Sequence, residues 1–414
     1  MNKKIFLMIL LLLIVFSVSL TTVNAKTIQF NNTTSVDVIN SFFNDNDSYN
    51  GNYLEDGDTI IFKEGNYQNI GISAEKSVSI TGQGEVIFSN DDGSRTIFLI
   101  GNYSNVSNIK IYNEGWIGLG IYGDYCTIKN STIVSNMDAG NSYAGSITIA
   151  SFGNNLTNNY IKNTNDLGYG VMIRGSDGQC NYVYNNTIDS KFFSLVLIGT
   201  EGSAWRAVGV NKILNNIITG FGGIVLTYSA TGNIIENNYI NVRGSYYKSK
   251  YIYGNLLLDC NGEGIYLMGS KDNSGEYPPL QLNHIANNTI YSYNNIGIYL
   301  NGITRNNTIT NNIVDEDEVF NYGFYNTLEN NTIKSDSSIS LSFKPNVIYG
   351  SNVVYNVTLI SHNDNLANKT VYFYLDSILL GSNKTDSNGI AILTKNTPIK
   401  LGNHIISVNF TGDT

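Results

Sequence analysis

Asn211-Lys-Ile-Leu-Asn-Asn-Ile-Ile218, Asn233-Ile-Ile-Glu-Asn-Asn-Tyr-Ile240 and Asn283-His-Ile-Ala-Asn-Asn-Thr-Ile290 repeat one pattern: an asparagine, an isoleucine, an Asn-Asn pair and a second isoleucine. The same unit recurs as Tyr182-Val-Tyr-Asn-Asn-Thr-Ile188, Leu156-Thr-Asn-Asn-Tyr-Ile161 and Cys126-Thr-Ile-Lys-Asn-Ser-Thr-Ile133 on one side. On the other side it returns from Arg305 to Val314 and as Asn326-Thr-Leu-Glu-Asn-Asn-Thr-Ile333. The period is roughly 20 to 30 residues, and one gap of about 50 is expected to hold two units.

Between copies lies a second short segment, Ser146-Ile-Thr-Ile149, Gly170-Val-Met-Ile173, Leu195-Val-Leu-Ile198, Gly223-Ile-Val-Leu226, Gly264-Ile-Tyr-Leu267 or Gly297-Ile-Tyr-Leu300. Each unit therefore offers two or three strands of a few residues and no helical periodicity. Strands that short cannot bury an apolar face alone. Stacked coil on coil, they pair every backbone amide and set Ile on Ile in a column, which predicts a parallel β-helix. Asparagine suits its corners, because it tolerates the left-handed backbone and its amide can bond the equivalent amide one coil away, about 4.8 Å along the axis.

The 414 residues are 42% apolar and 14% charged, so the chain can build a large core. Asparagine stands at 63, against 19 lysines. A merely AT-rich coding sequence would enrich both, so the excess is selected in the protein. Net charge is −9 with 24 Lys and Arg, too few for the positive surface that nucleic-acid backbones require. Lys3 and Lys4 before the apolar run Ile5 to Leu20 and the small-residue site Val23-Asn24-Ala25 read as a signal peptide of residues 1–25, which predicts a secreted or cell-surface protein with no membrane span after cleavage. Cys126, Cys180 and Cys260 are too few for a disulfide scaffold; Cys126 and Cys180 are expected at similar interior places two units apart. Sequons such as Asn130-Ser-Thr, Asn155-Leu-Thr, Asn287-Asn-Thr and Asn330-Asn-Thr abound, as chance supplies them at this density of asparagine and threonine.

These repeats resemble the pectate-lyase-like right-handed β-helix superfamily. Ser35 to Phe43 reads as a short capping helix with Ser35 as its N-cap, and Asp56-Gly-Asp-Thr-Ile-Ile-Phe-Lys-Glu-Gly-Asn-Tyr67 looks like that superfamily's first coil. The resemblance spans residues 27–335 and implies fold rather than function, since the superfamily holds lyases, hydrolases, epimerases and binding proteins. From about Asp336 the pattern changes to longer alternating strands: Ile339 to Phe343, Val353 to Ile360, Thr370 to Leu375, Gly389 to Thr394 and His404 to Phe410. Val371 to Gly381, Thr385 to Ile390 and Leu401 to Gly412 resemble the bacterial Ig-like domain of surface adhesins, without its usual final strand. The expected class is all-β, a right-handed parallel β-helix over 26–335 followed by an Ig-like sandwich over 336–414. As a whole the chain resembles adhesin-like surface proteins of methanogenic archaea.

Three site readings follow. Tyr246, Tyr247, Tyr251 and Tyr253 crowd Arg243 to Tyr253 within the long gap; as a projecting loop they offer a stacking surface for an extracellular glycan, and otherwise they are corners of one more coil. Asp138 and Asp166 lie five residues beyond Ile133 and Ile161, where stacked carboxylates would hold Ca²⁺; with Arg174 as base, the resemblance then implies a polyuronate lyase abstracting the proton α to a uronate carboxylate. A glycosidase would need Asp177, Asp189, Asp259 and Glu263 to converge, although their offsets differ. Asp315-Glu-Asp-Glu318 reads as a plain acidic loop, and Trp116 and Trp205 as residues packed outside the sheets. His284, His362 and His404 are scattered and compose no zinc set or triad. The favoured expectation is a non-enzymatic surface protein whose β-helix binds glycans or other cells, ahead of a polysaccharide lyase or hydrolase and of a purely structural envelope component.

Overall fold

The computed structural model describes residues 25–91, 96–138, 144–175, 177–199, 208–243, 247–248, 259–260, 262–269, 280–292, 296–315, 318–334, 337–348, 350–361, 364–396 and 402–412. Residues 1–24, with nearly all of the expected signal peptide, lie outside them, as does Trp205. The chain divides into two compact units, Met1–Thr332 and Ile333–Thr414.

In the first unit every coil contributes a strand to each of up to three parallel sheets, so the chain forms a parallel β-helix. The first sheet climbs through Thr27–Phe30, Asn105–Ser107, Asn155–Thr157, Lys212–Leu214 and His284–Ala286 to Thr327–Glu329, with the intervening coils between them. The second includes Lys110–Asn113, Thr132–Ser135, Tyr160–Asn163, Tyr239–Val242, Thr289–Tyr291 and Ile313–Asp315. The third runs from Ile72–Ala74 through Leu119–Ile121, Gly145–Ile149 and Tyr169–Arg174 to Ile296–Leu300 and Glu318–Asn321. Successive strands of one sheet are joined through the other two, a crossover that winds right-handed.

Register makes the core. Ile133, Ile161, Ile188, Ile218, Ile240 and Ile290 sit one above another in the second sheet, and all are fully buried. A matching column in the first sheet holds Ile128, Leu156, Val183, Ile213, Ile235, Ile285 and Ile309. The columns fuse into one continuous apolar core.

The Asn-Asn pair splits two jobs that the sequence reading assigned to both members. The corner asparagine, Asn108, Asn130, Asn158, Asn185, Asn215, Asn237, Asn287, Asn311 or Asn330, is the first of the pair in all but the Asn108-Ile109 and Asn130-Ser131 coils; it takes the left-handed conformation (φ between 52° and 58°) and is exposed. The second is buried, except for the half-buried Asn331 of the last coil. Asn159, Asn186, Asn216, Asn238, Asn288, Asn312 and Asn331 form a ladder in which each Oδ1 accepts both the backbone N–H and the Nδ2–H of its counterpart one coil earlier, at 2.9–3.1 Å. Each Nδ2 also donates to a carbonyl of the preceding coil, as Asn216 does to Val183 at 2.9 Å. A second ladder of the same chemistry joins Asn154, Asn181, Asn211, Asn233, Asn283, Asn307 and Asn326. Each ladder amide before the last coil thus ties three coils together.

The N-terminal end is plugged by helix α1, Val36–Asn44, which buries Ile39, Phe42 and Phe43 against Phe30. Ser35 makes no side-chain cap; its carbonyl accepts the N–H of Ile39. Asn40 and Asn44, one turn apart, exchange bonds with the backbones of residues 69, 71 and 73 and so cover the open edge of the first coil.

The structure departs from the sequence expectations at three places. The long gap holds one coil, because Ile235 pairs directly with Ile285 and Asn233 bonds Asn283 across it. Cys180 is exposed in a left-handed corner (φ 56°), aligned with Tyr125 rather than with the buried Cys126. The acidic run is also partly in strands, Ile313–Asp315 and Glu318–Asn321.

The second unit is a sandwich of two antiparallel sheets. Ser337–Phe343, Asn352–Ser361, Asp364–Asn365 and Ile390–Asn396 form one, and Ile378–Lys384, Thr370–Leu375 and Ile406–Asn409 the other. Val353, Tyr355, Val357 and Leu393 of the first sheet meet Val371 and Phe373 of the second.

The ladder predicts an asymmetric pair of substitutions. Asn216→Ala removes the acceptor of the buried N–H of Asn186 and of one of its Nδ2 hydrogens, together with the amide that donates to the Val183 carbonyl, and should cost about 3 kcal/mol. Asn215→Gly leaves the corner backbone content and should stay within about 0.5 kcal/mol. Urea unfolding of the solenoid measures both; equal shifts would contradict the division of labour.

Candidate carbohydrate-contacting surface

On the third sheet the strand sequences are apolar on both faces, as expected for strands buried on both sides. Residues pointing away from the core, Met172, Val196, Ile198 and Val225, join Tyr169, Phe192, Phe193, Tyr228 and Cys260 in a separate exterior cluster. Cys260 belongs to a short antiparallel pairing of Tyr247–Lys248 with Asp259–Cys260, the base of the insertion in the long gap. Its position is fixed by Gly222, where a Cβ would stand 2.5 Å from the Phe193 ring and 2.7 Å from Cys260 Sγ. Cys260, in the strand pair at the base of the insertion, therefore packs against the exterior of the third sheet.

Over the last three coils of that sheet the outward column is aromatic. Tyr266, Tyr299 and Phe320 occupy successive coils in register. Tyr266 meets Tyr299 edge to face with centroids 5.2 Å apart, and Tyr299 lies 5.6 Å from Tyr322, which is 59% exposed and parallel to Phe320 within 6°. Burial, then the neighbouring Tyr322 hydroxyl and the Glu263 carboxylate, raises the Tyr299 phenol above its ordinary value, so it stays neutral. Glu263 is buried just before the Tyr266 strand. With Tyr266 and Tyr299 half-buried and Tyr322 exposed, the rings stand at coil spacing and offer stacking faces to a sugar.

Of the residues singled out in sequence, Tyr246, Tyr251 and Tyr253 lie outside the described residues, and Tyr247 stands in the strand pair at the base of the insertion, opposite Cys260. Asp166 is exposed and ion-paired to Lys191 at 2.9 Å. Asp138 is half-buried, and its corner, 136–144, is longer than the 164–168 corner of Asp166. Arg174 points outward from the third sheet and donates from Nη2 to the Tyr122 hydroxyl at 2.7 Å. Tyr122 in turn stacks on Phe98 (4.6 Å), in a cluster that includes Trp116. Asp189 pairs across strands with Lys162 at 3.0 Å. Tyr266, Tyr299, Phe320 and Tyr322 were missed; the available signal was the Ile-Tyr-Leu repeated in Gly264–Leu267 and Gly297–Leu300, whose central tyrosine must face outward once its neighbours face in.

No family model matches the chain, and no curated protein matches it. Among solved structures, a double mutant of the tailspike protein of E. coli bacteriophage HK620 in complex with a pentasaccharide aligns over 90% of this chain and 93% of its own, at 11% identity and a TM-score of 0.41. A second tailspike mutant from the same phage, also with a pentasaccharide, aligns over 86% and 80% with a TM-score of 0.39. An alginate lyase from Paenibacillus sp. str. FPU-7 covers 75% of this chain and 99% of its own at a TM-score of 0.28.

The exterior cluster makes a thiol prediction. Burial pushes Cys126 up to about 11 and Cys260 up to about 12, while Cys180 is exposed. At pH 8 iodoacetamide should label Cys180 in the native protein and all three only after denaturation. Rapid native labelling of Cys260 would show that its cluster is open.

Proposed function

We propose that the chain is a secreted or cell-surface glycan-binding protein, adhesin-like in organisation. Its β-helix presents the exterior of the third sheet to polysaccharide, and its C-terminal sandwich, an Ig-like module, acts as a spacer towards the cell. The single observation that carries the reading is the ring platform of Tyr266, Tyr299, Phe320 and Tyr322 beside the base of a tyrosine-rich insertion. Tyr246, Tyr247, Tyr251 and Tyr253 are proposed to extend it. A row of weak contacts on a rigid face suits a polymer, since neighbouring sites act together. The charge of −9 favours neutral chains over polyanions.

The rival is a Ca²⁺-dependent polyuronate lyase with Asp138 and Asp166 on the cation and Arg174 as base. It is favoured by one observation, the outward guanidinium held in place by Tyr122. Calcium-dependent ultraviolet absorbance of an unsaturated product, lost on Asp166→Ala, would replace the binding reading with this one.

Replacing Tyr299 and Tyr322 together by Ala removes two stacking faces, about 1–3 kcal/mol, and should weaken retention in polysaccharide affinity gels roughly tenfold. Undiminished retention with unchanged thermal unfolding would overturn the platform.

A further inference from the structure

The β-helix contains its own control for why its outer corners are asparagine. Each coil has two left-handed corners, and in both the corner residue precedes a ladder position and donates its backbone N–H to a carbonyl one coil on. In the first column the occupants are varied: Tyr125, Gly153, Cys180, Val210 and Leu282 all stand there at φ between 56° and 70°. In the second, from Asn108 to Asn330, every coil has asparagine at the same φ. Backbone geometry that Val210 and Leu282 satisfy does not demand asparagine, so the side-chain amide itself is what the second column retains.

Three uses for that amide can be compared. An outer ladder would explain it, but among the described residues one such bond joins corner amides, Asn185 to Asn158 at 2.7 Å. Glycan attachment would require Ser or Thr two residues on, yet those positions read Lys110, Tyr160, Ile217, Tyr239 and Ile313 as often as Thr. The third use is recognition. These same positions project from the second sheet directly beside the amides, and Tyr160, Ile217 and Tyr239 are 40–47% exposed.

We propose that this amide row, with Tyr160, Ile217 and Tyr239 along its flank, binds a neutral, extended polysaccharide lying parallel to the solenoid axis, one sugar residue to one coil. The coil spacing of about 4.8 Å is close to the length of one pyranose in an extended β-linked chain. An extended peptide advances about 3.3–3.4 Å per residue and falls out of register within two coils. Amides donate and accept without charge, as hydroxyl-bearing polymers require, and apolar flanks supply faces for sugar rings. The inference rests on the glycan-binding reading and adds a second surface and a polymer direction to it.

Glycine tests the row because it keeps the left-handed corner and deletes the amide. Asn158→Gly, Asn185→Gly, Asn215→Gly and Asn237→Gly combined, with the pairwise variants as a guard against misfolding, are run in affinity gels containing hydroxyethylcellulose, xylan or glucomannan. Retention should fall roughly tenfold or more for the quadruple variant, while Val210→Gly, the same change in the other column, leaves it unaltered. Competition by β-linked oligosaccharides should strengthen steadily with their length up to several sugars. Full retention of the quadruple variant, or competition that saturates at a disaccharide, overturns the row. If the Tyr299 and Tyr322 double variant alone loses retention, the platform stands and the row falls; if the native protein is retained by none of these polymers, both fall.

Discussion

A carboxamide that has one acceptor oxygen and two donor hydrogens can satisfy neighbours above and below it at once, and the first unit depends on that property. Each buried asparagine takes two hydrogens from the coil before it on Oδ1, returns one to that coil's carbonyl, and passes one forward to the next amide. Buried polar groups are costly unless paired, so the ladder enforces one register: a slip by one residue would strand every amide in the apolar core. The isoleucine columns supply the burial, and the amides decide which residue lies over which.

Much of this was legible because the repeat is strict. Asn-Asn next to alternating isoleucines has few physical solutions, and Ile161, Ile188 and Ile218 do stack as the spacing requires. What was not legible has identifiable causes. The exposed and buried members of the pair are chemically identical, so only the fold separates Asn215 from Asn216. Cys180 sits one place from the register of Cys126, a difference hidden by irregular coil lengths. The 50-residue gap holds a single coil, with a short antiparallel strand pair inserted in it, and a period cannot tell an insertion from a second coil. The ring platform was overlooked because each tyrosine appears singly, coils apart, and becomes a cluster only when the coils stack.

The inside and outside of the same corner thus carry different information. Interior amides are committed to the fold, and their substitution is a question of stability. Exterior amides and the third sheet's aromatic column are free of that duty, and their pattern is the place to look for recognition. A rigid solenoid holding both at a fixed repeat is suited to a polymeric partner with its own repeat.

Side-chain amide hydrogen exchange, followed by NMR on asparagine-labelled protein, tests the ladder most directly. The Nδ2 protons of Asn186, Asn216, Asn238 and Asn288 should exchange only through large-scale unfolding, orders of magnitude more slowly than those of Asn215, Asn237 and Asn287. Equal, fast exchange in both sets would mean that the buried amides do not hold the coils together.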